Sequence, residues 1–403
     1  MFDKRTRLFV HFDILSFLKI LKSFIIKKKN FLDKLKEFLQ VDNLILTSYG
    51  RTALYDIIKI IISKSGKKTF FIAPYTIPAV IHAIIYAGGE ISYIDMNKNT
   101  GLIDQEKLAN KIDQNTAGVI ITHLYSNKEE IRKFINYFND KIYIIEDAAI
   151  NFGAKVDNKY LGTLADFGFF SFAMVKNLNT LTGGAIFIKD KNIFDEYILS
   201  RKTIQYPILK TFNLLFTAII IKLFFNNLSY QISHYFLKFI YSRKINFVLK
   251  KIYPVLFHQL EDKTPINYYY DFNWAMNEVG IYNLKKVKEQ IEERNNKANL
   301  YNKIIKDEVA IKTDCLKGEN ALLEFPIILK KVTNQIAHDK LMKEGYDIRL
   351  TWYINNVKSN VNLSIDDFED TNLIEKKIFC LPLHENIKTS DIKKISSIIN
   401  NLN

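Results

Sequence analysis

The chain has 403 residues, 48% of them hydrophobic, and its 57 Lys and Arg against 43 Asp and Glu leave a formal net charge of +14. That length and apolar content suit one large domain joined to a smaller one and exclude a disordered tail, while the charge favours anionic partners such as phosphorylated substrates or membrane surfaces. No basic-aromatic nucleic-acid motif is present, Cys315 and Cys380 are too far apart for a disulfide framework or a zinc site, the histidines lack metal-ligand spacing, and neither G-x-G-x-x-G nor G-K-[ST] occurs. Nucleic acid and metal are therefore not expected, and a reducing cytoplasm is.

The opening stretch "LFVHFDILSFLKILKSFIIKKKN" is interrupted by Asp13, Lys19 and Lys22 and is followed by no small-residue cleavage site, so it reads as a helix and not as a signal peptide. Ile14, Phe17, Leu18, Leu21, Phe24 and Ile25 recur at helical spacing and leave Asp13, Ser16, Lys19, Lys22 and Ser23 for the other face. Residues 1–40 are expected to form an amphipathic helical segment. Over 41–206 the runs "LILTS", "TFFIA", "ISYID", "GVIITH", "IYIIED", "FGFFSF" and "GAIFIK" alternate with helical stretches. That alternation predicts an α/β domain, a mostly parallel sheet flanked by helices. Ligands of such sheets sit outside the carboxyl ends of the strands, where Ser48, Pro74, His123, Asp147 and Ser171 fall.

Residues 207–270 read as a hydrophobic, basic helical insertion. Its apolar run between Lys210 and Lys222 is short of the ~20 residues that a spanning helix needs. Two readings stay open for 207–258: helices packed on the body or on a partner subunit, or an interfacial segment with apolar side chains in lipid and cations at headgroups. Residues 271–403 begin with a long charged helix. The strand "ALLEFPIIL", a helix over 333–344 and a closing helix after "CLPLH" follow, which together suit a smaller α+β domain.

A carboxylate (Asp147), a hydroxyl (Ser171) and an amine (Lys176) are thus expected at one strand-end crevice. In "SYGRTAL", residues 48–54, a strand stops, Gly50 permits a tight turn and a helix starts near Arg51 or Thr52, so backbone N–H groups face an anion. An anion seat at one end and an amine at the other describe the holder of a phosphate-bearing aldehyde, which fits pyridoxal phosphate.

"FIAPYTIPAVIHAIIYAGGEISYID", "THLYS", "IIEDAA", "GTLADFGFFSF", "SFAMVKNLNTLTGG" and "CLPLHENIKTSDIKKI" occur in the order in which similar signatures occur in the sugar aminotransferases of the DegT/DnrJ/EryC1/StrS family. The chain resembles that family, whose members are fold-type I pyridoxal-phosphate enzymes, over about 44–195 and from about 270 to the end. The resemblance implies a large cofactor-binding domain and a smaller C-terminal one. It implies that Lys176 is the covalent anchor of the cofactor and the proton carrier, that Asp147 partners the pyridinium nitrogen, and that Ser171 with Gly50, Arg51 and Thr52 cradles the phosphate. Asn273 in "DFNWAMNEVG" matches an asparagine that reaches a phosphate of the neighbouring subunit, which implies a homodimer with shared sites.

Several positions depart from the family pattern. Ile77 replaces the aromatic that stacks on the cofactor ring, and Ile150 replaces a Gln after "EDAA". Thr182 replaces an acid, Ser126 a glycine and Ala275 an arginine. Family dehydratases carry histidine where this chain has Lys176, so the resemblance favours transamination of a nucleotide-linked keto-sugar, with glutamate as donor, for surface polysaccharide or glycoside synthesis. The departures keep an alternative open, a degenerate member that binds or scaffolds without transaminase activity. The basic N-terminal helix and the 207–258 stretch add the expectation of a cytoplasmic protein with peripheral contact to the inner membrane surface.

Overall fold

The seven apolar runs form seven strands: β1 (Leu44–Thr47), β2 (Thr69–Ile72), β3 (Glu90–Tyr93), β4 (Thr116–Thr122), β5 (Tyr143–Asp147), β6 (Phe167–Ser171) and β7 (Gly184–Ile188). The structure is a computed structural model that describes residues 4–6, 10, 12–25, 30–125, 128–226, 228–243, 260–312, 320–350, 353–359 and 364–402. Ser126, Cys315 and the 244–258 part of the apolar stretch lie outside the described residues. The strands make one sheet in the order β3-β2-β4-β5-β6-β7-β1. Neighbours from β3 to β6 run parallel, and β7 runs antiparallel to both β6 and β1. Every residue of β7, and all but one of β5, is buried, which is why these strands read as unbroken apolar runs and not as alternations.

Two short helices precede the sheet, α1 (Ile14–Ile25) and α2 (Phe31–Leu39), and α3 (Gly50–Ser65) follows β1 directly. Along α3, Ala53, Leu54, Ile57, Ile58 and Ile61 fall on one face and are fully buried. Each such Ile or Leu contributes about 1.5–3 kcal/mol. The helix ends at Gly66, whose φ of 68° lets its N–H close on the Ile62 carbonyl. This packing fixes the first turn of α3 against the ends of β6 and β7.

A second, antiparallel sheet is built from β8 (Ala310–Lys312), β9 (Glu324–Leu329) and β10 (Ile378–Pro382) in the order β8-β9-β10. It is tied to the first at two places. The Asp95 carboxylate accepts from Thr371 N (2.9 Å), Thr371 Oγ1 (2.7 Å), Met96 N (2.8 Å) and Lys107 Nζ (3.0 Å). Beyond β2, Tyr75–Thr76 pairs with Ile354–Asn355, and Asn356 Nδ2 donates to the Pro74 and Thr76 carbonyls at 2.8 and 2.9 Å. The C-terminal part of the chain therefore overhangs the edge of the first sheet where its strands end.

The N-terminal helix turns most of its apolar stripe outward. α1 buries Ser16, Ile20 and Ser23, whereas Ile14, Leu18, Leu21 and Ile25 are exposed and only Phe17 and Phe24 of the apolar stripe reach the core. Its serines are accommodated because they are satisfied locally: Ser16 Oγ donates to Asp13 Oδ1 at 2.8 Å and Ser23 Oγ to the Lys19 carbonyl at 2.9 Å. The insertion contains α4 (Ile208–Phe224) and α5 (Tyr230–Ser242). No helix among the described residues is long and apolar enough to cross a membrane.

Candidate active site

Asp147 is the last residue of β5 and is buried, 4% exposed, at the carboxyl edge of the sheet. Its Oδ1 accepts the Ala149 N–H at 3.0 Å, and its other oxygen takes no hydrogen bond among the described residues. Burial pushes the carboxyl above its usual range, opposed by the Ala149 N–H and by the charges of Lys176 and His123. The site thus holds a buried acid with one unoccupied oxygen, which a nearby cation would keep ionised.

Lys176 is half-buried beside it, on the loop that leaves β6. Its amine makes no hydrogen bond or ion pair among the described residues. Burial lowers its pKa to about 8, against the pull of Asp147; Arg349 lowers it further and Glu324 raises it. A lysine this close to neutrality at physiological pH is a ready nucleophile. In cofactor-free protein, the rate at which Lys176 captures an aldehyde is expected to rise with pH and reach half its maximum near the pKa of about 8, because only the neutral amine attacks. Stopped-flow absorbance on mixing with pyridoxal phosphate checks it; a midpoint near the ordinary lysine value would contradict the depressed pKa.

The loop is held from both sides. Asn177 Nδ2 donates to the Phe152 carbonyl (3.3 Å) and the Ala321 carbonyl (2.7 Å), and its Oδ1 accepts from Arg294 Nη1. Asn283 Nδ2 donates to the Asn179 carbonyl at 2.6 Å. Leu181 is held at φ 62°, a left-handed conformation costly for a leucine, by its N–H to Asn179 Oδ1 at 2.6 Å. Thr182, where the family has an acid, donates its hydroxyl to the Ser48 carbonyl at 2.9 Å. It anchors the loop to the end of β1.

The first turn of α3 meets Ser171 across a gap that only glycine allows. A Cβ on Gly50 would lie 2.9 Å from Ser171 Cβ, and one on Gly184 would lie 2.8 Å from Gly50 N and 2.7 Å from the Phe170 carbonyl. The opening N–H groups of a helix have no partners in a preceding turn, and Tyr49 at the N-cap offers no side-chain acceptor. The first turn of a 16-residue helix, uncapped by any side chain, therefore lies beside the half-buried Ser171, where the helix terminus favours an anion. Thr52 contributes only its backbone, since its hydroxyl is buried 3.2 Å from Ser48 Oγ. The Arg51 guanidinium rests over the Tyr49 ring (4.2 Å) and the Tyr268 ring (5.7 Å), at the margin of this seat.

The remaining sequence candidates are placed differently. Ile77 is the half-buried N-cap of the helix Pro78–Tyr86 and packs on the cluster that contains Ile150, Tyr75 and Tyr353. Asn273 is 1% exposed; its Nδ2 donates to Thr211 Oγ1 at 2.9 Å and its Oδ1 accepts the Ala275 N–H at 3.2 Å, so its amide is engaged within its own chain. Ala275 is buried beneath it.

Four groups that the sequence did not single out, Glu146, Glu324, Arg349 and Tyr353, also belong to the site, together with His123, which it placed at a strand end. Glu146 and His123 are buried together, with His123 Nε2 2.9 Å from Glu146 Oε2. The same carboxylate accepts the N–H groups of Gly162, Leu164 and Ala165 at 2.9, 2.6 and 2.8 Å. It fixes the turn before β6 and orients the imidazole next to Asp147. Glu324, at the start of β9, pairs with Arg349 Nε at 3.4 Å, and both act on Lys176. Tyr353 senses the charge of Asp147, and its ring lies 5.6 Å from that of Tyr75. A hint for Glu146 was its place beside Asp147 in "IIED"; Glu324, Arg349 and Tyr353 arrive from the C-terminal part of the chain and give no local signal.

The sequence profile of the DegT/DnrJ/EryC1/StrS aminotransferase family matches residues 22–205 and 261–400. A GDP-perosamine synthase of Escherichia coli O157:H7 is 30% identical over 118 residues, 29% of this chain and 32% of that protein. The chain spans about a third of the length of the curated relatives that it matches at 30% identity. A GDP-4-keto-6-deoxy-D-mannose 3-dehydratase of Yersinia pseudotuberculosis is 22% identical over 338 residues, 80% of this chain and 78% of that one. Among solved structures, a putative sugar aminotransferase of Streptococcus pneumoniae in its PMP form shares the fold, with a TM-score of 0.73 at 14% identity over 97% of this chain and 95% of that one. The mostly parallel sheet with its smaller C-terminal partner is the fold-type I arrangement.

Proposed function

The chain belongs to the DegT/DnrJ/EryC1/StrS aminotransferase family, and from that premise we propose that it is a pyridoxal-phosphate-dependent transaminase acting on a nucleotide-linked keto-sugar, with glutamate as amino donor, in surface polysaccharide or glycoside synthesis. The observation that carries the reading is Lys176, an amine with its pKa lowered to about 8 and no hydrogen bond among the described residues, beside the buried Asp147. The donor set fits the cofactor. The first turn of α3 and Ser171 offer N–H and hydroxyl groups to a phosphate, Asp147 offers a free carboxylate oxygen to a protonated ring nitrogen, and Lys176 offers the amine. When bound, pyridoxal phosphate supplies an electron-withdrawing ring that accepts the electron pair left at a carbon that loses its proton.

The rest falls to this chain's own side chains. Asp147 would hold a proton on the ring nitrogen. Lys176 Nζ would anchor the cofactor and, once released, its amine, with a pKa lowered to about 8, would take the proton from the donor carbon and carry it as a general base and then acid. Arg349 and Glu324, brought in from the second sheet, set how readily that amine gives up its own proton. The presence of Lys176 in place of the histidine expected of a dehydratase favours amine transfer over dehydration. Two chains form the working unit in this reading, on the strength of family membership; light scattering at working concentration tests it.

The seat for the phosphate makes its own prediction. Gly50→Ala is expected to weaken pyridoxal phosphate binding about tenfold or more, because the new methyl pushes the α3 terminus off Ser171 and costs a charge-assisted hydrogen bond. Fluorescence titration of the cofactor-free protein measures it, and unchanged affinity would place the phosphate elsewhere. The function itself is tested by incubating the loaded enzyme with glutamate and a panel of keto-sugar nucleotides, then looking by mass spectrometry for an amino-sugar nucleotide. Dehydrated product, or none across the panel, would count against the proposal.

A further inference from the structure

Three helices expose apolar side chains among the described residues, and two of them lie where the family profile is interrupted, between residues 205 and 261. α1 and α4 touch through Phe24 and Phe212, stacked with ring centres 5.6 Å apart. α4 and α5 are joined by Ser233 Oγ donating to the Phe224 carbonyl at 2.9 Å. The three are thus adjacent.

Their orientation is inverted relative to an ordinary surface helix. Mostly small or polar side chains face the protein, Ser16 and Ser23 of α1 and Thr211 and Ala218 of α4, with one large apolar residue from each helix, Ile20 and Leu215. Large apolar ones face outward, including Leu18 and Leu21 of α1, Leu209 (74% exposed) and Phe216 (64%) of α4, and Ile232 (80%) and Phe236 of α5. Single exposed leucines are common, but a run of them across three neighbouring helices marks an interaction surface.

Charge selects the occupant. The described part of 203–260 contains Lys210, Lys222, Lys238 and Arg243 and no Asp or Glu, and α1 carries Lys19 and Lys22 with no acid between Ile14 and Ile25. A two-fold contact between copies would set this cationic side against itself. An anionic surface has the opposite, complementary charge. No described helix can span a bilayer, so the helices would lie flat.

We propose that α1, α4 and α5 form a face that docks the chain on an anionic lipid surface. Leu209, Phe216 and Ile232 enter the boundary between headgroups and acyl chains, and the flanking lysines pair with lipid phosphates. The inference does not rest on the transaminase reading, and its test does not read activity.

Full-length wild-type protein is floated with vesicles of phosphatidylglycerol and phosphatidylcholine, and with vesicles of phosphatidylcholine alone. Flotation is expected with the anionic vesicles and reduced with the neutral ones, and it should weaken as salt is raised. The triple variant Leu209→Ser, Phe216→Ser, Ile232→Ser, checked for retained circular dichroism, is expected to partition about tenfold less or weaker still. Lys22→Glu with Lys222→Glu is expected to abolish the preference for anionic vesicles. Absence of flotation at low salt, or equal flotation of the triple variant, would overturn the proposal. So would light scattering in which the triple variant splits a larger assembly while wild-type protein ignores vesicles, since the face would then belong to a second copy.

Discussion

Replacing Lys176 with alanine is expected to lower amine transfer from glutamate by ~10³- to 10⁴-fold or more, because the proposed function gives both anchoring and proton transfer to this one amine. The fold should survive, since the loop is held by Asn177, Asn179, Leu181 and Thr182 and not by the lysine, whose amine bonds to nothing among the described residues. Removing a buried amine also removes a desolvation cost. In cofactor-free protein the folded pKa of about 8 lies below the ordinary 10.5, so the unfolded chain binds more protons between those values and this lysine opposes folding most below pH 8. Lys176→Ala should therefore be no less stable than wild type at neutral pH. Product formation followed by chromatography, alongside denaturant melts of the cofactor-free proteins, separates loss of chemistry from loss of fold.

Asp147→Asn is expected to reduce the same activity by ~10²- to 10³-fold. Asparagine keeps the shape and can still accept the Ala149 N–H at Oδ1, so the substitution isolates the charge. Without the carboxylate the ring nitrogen loses the partner that keeps it protonated, and the carbon that gives up its proton gains less electron withdrawal. The sign for stability is opposite. The folded carboxyl sits above its usual pKa, so the unfolded chain holds fewer protons once pH passes the ordinary value, and ionising this group in the empty site works against the fold. The cofactor-free asparagine variant should therefore be at least as stable at neutral pH as wild type, by urea denaturation, while its steady-state rate collapses. Equal loss of both would mean that Asp147 serves the fold and not the reaction.

The sheet was legible because all of its strands except the edge strand Glu90–Tyr93 are mostly buried. A strand such as Gly184–Ile188, enclosed along its whole length, must be apolar at every position, and a series of such runs in one alternation leaves little choice of architecture. The polar residues that end these runs could be read for the same reason: Asp147 and Ser171 break an apolar pattern at the edge where ligands bind. Periodicity left the orientation of α1 open: the stripe of Ile14, Leu18, Leu21 and Ile25 is turned outward, because Ser16 and Ser23 satisfy their hydroxyls locally and can be buried. A helical pattern shows that two faces differ and not which one meets the core. The contributions of Glu324, Arg349 and Tyr353 depend on two sheets meeting, through contacts such as Asp95 with Thr371, and no local signal near Lys176 announces them. The engagement of Asn273 by Thr211 is of the same kind, since its partner lies in the stretch that the family profile omits.

Lys176 is the proposed covalent anchor of pyridoxal phosphate. Borohydride reduction of the reconstituted 403-residue protein, followed by proteolysis and peptide mass spectrometry, addresses it without needing the sugar substrate. The reduced cofactor mass is expected on the peptide that carries Lys176, with no label at that peptide in Lys176→Ala. Label on a different lysine, or stoichiometric binding that borohydride never fixes, would contradict it.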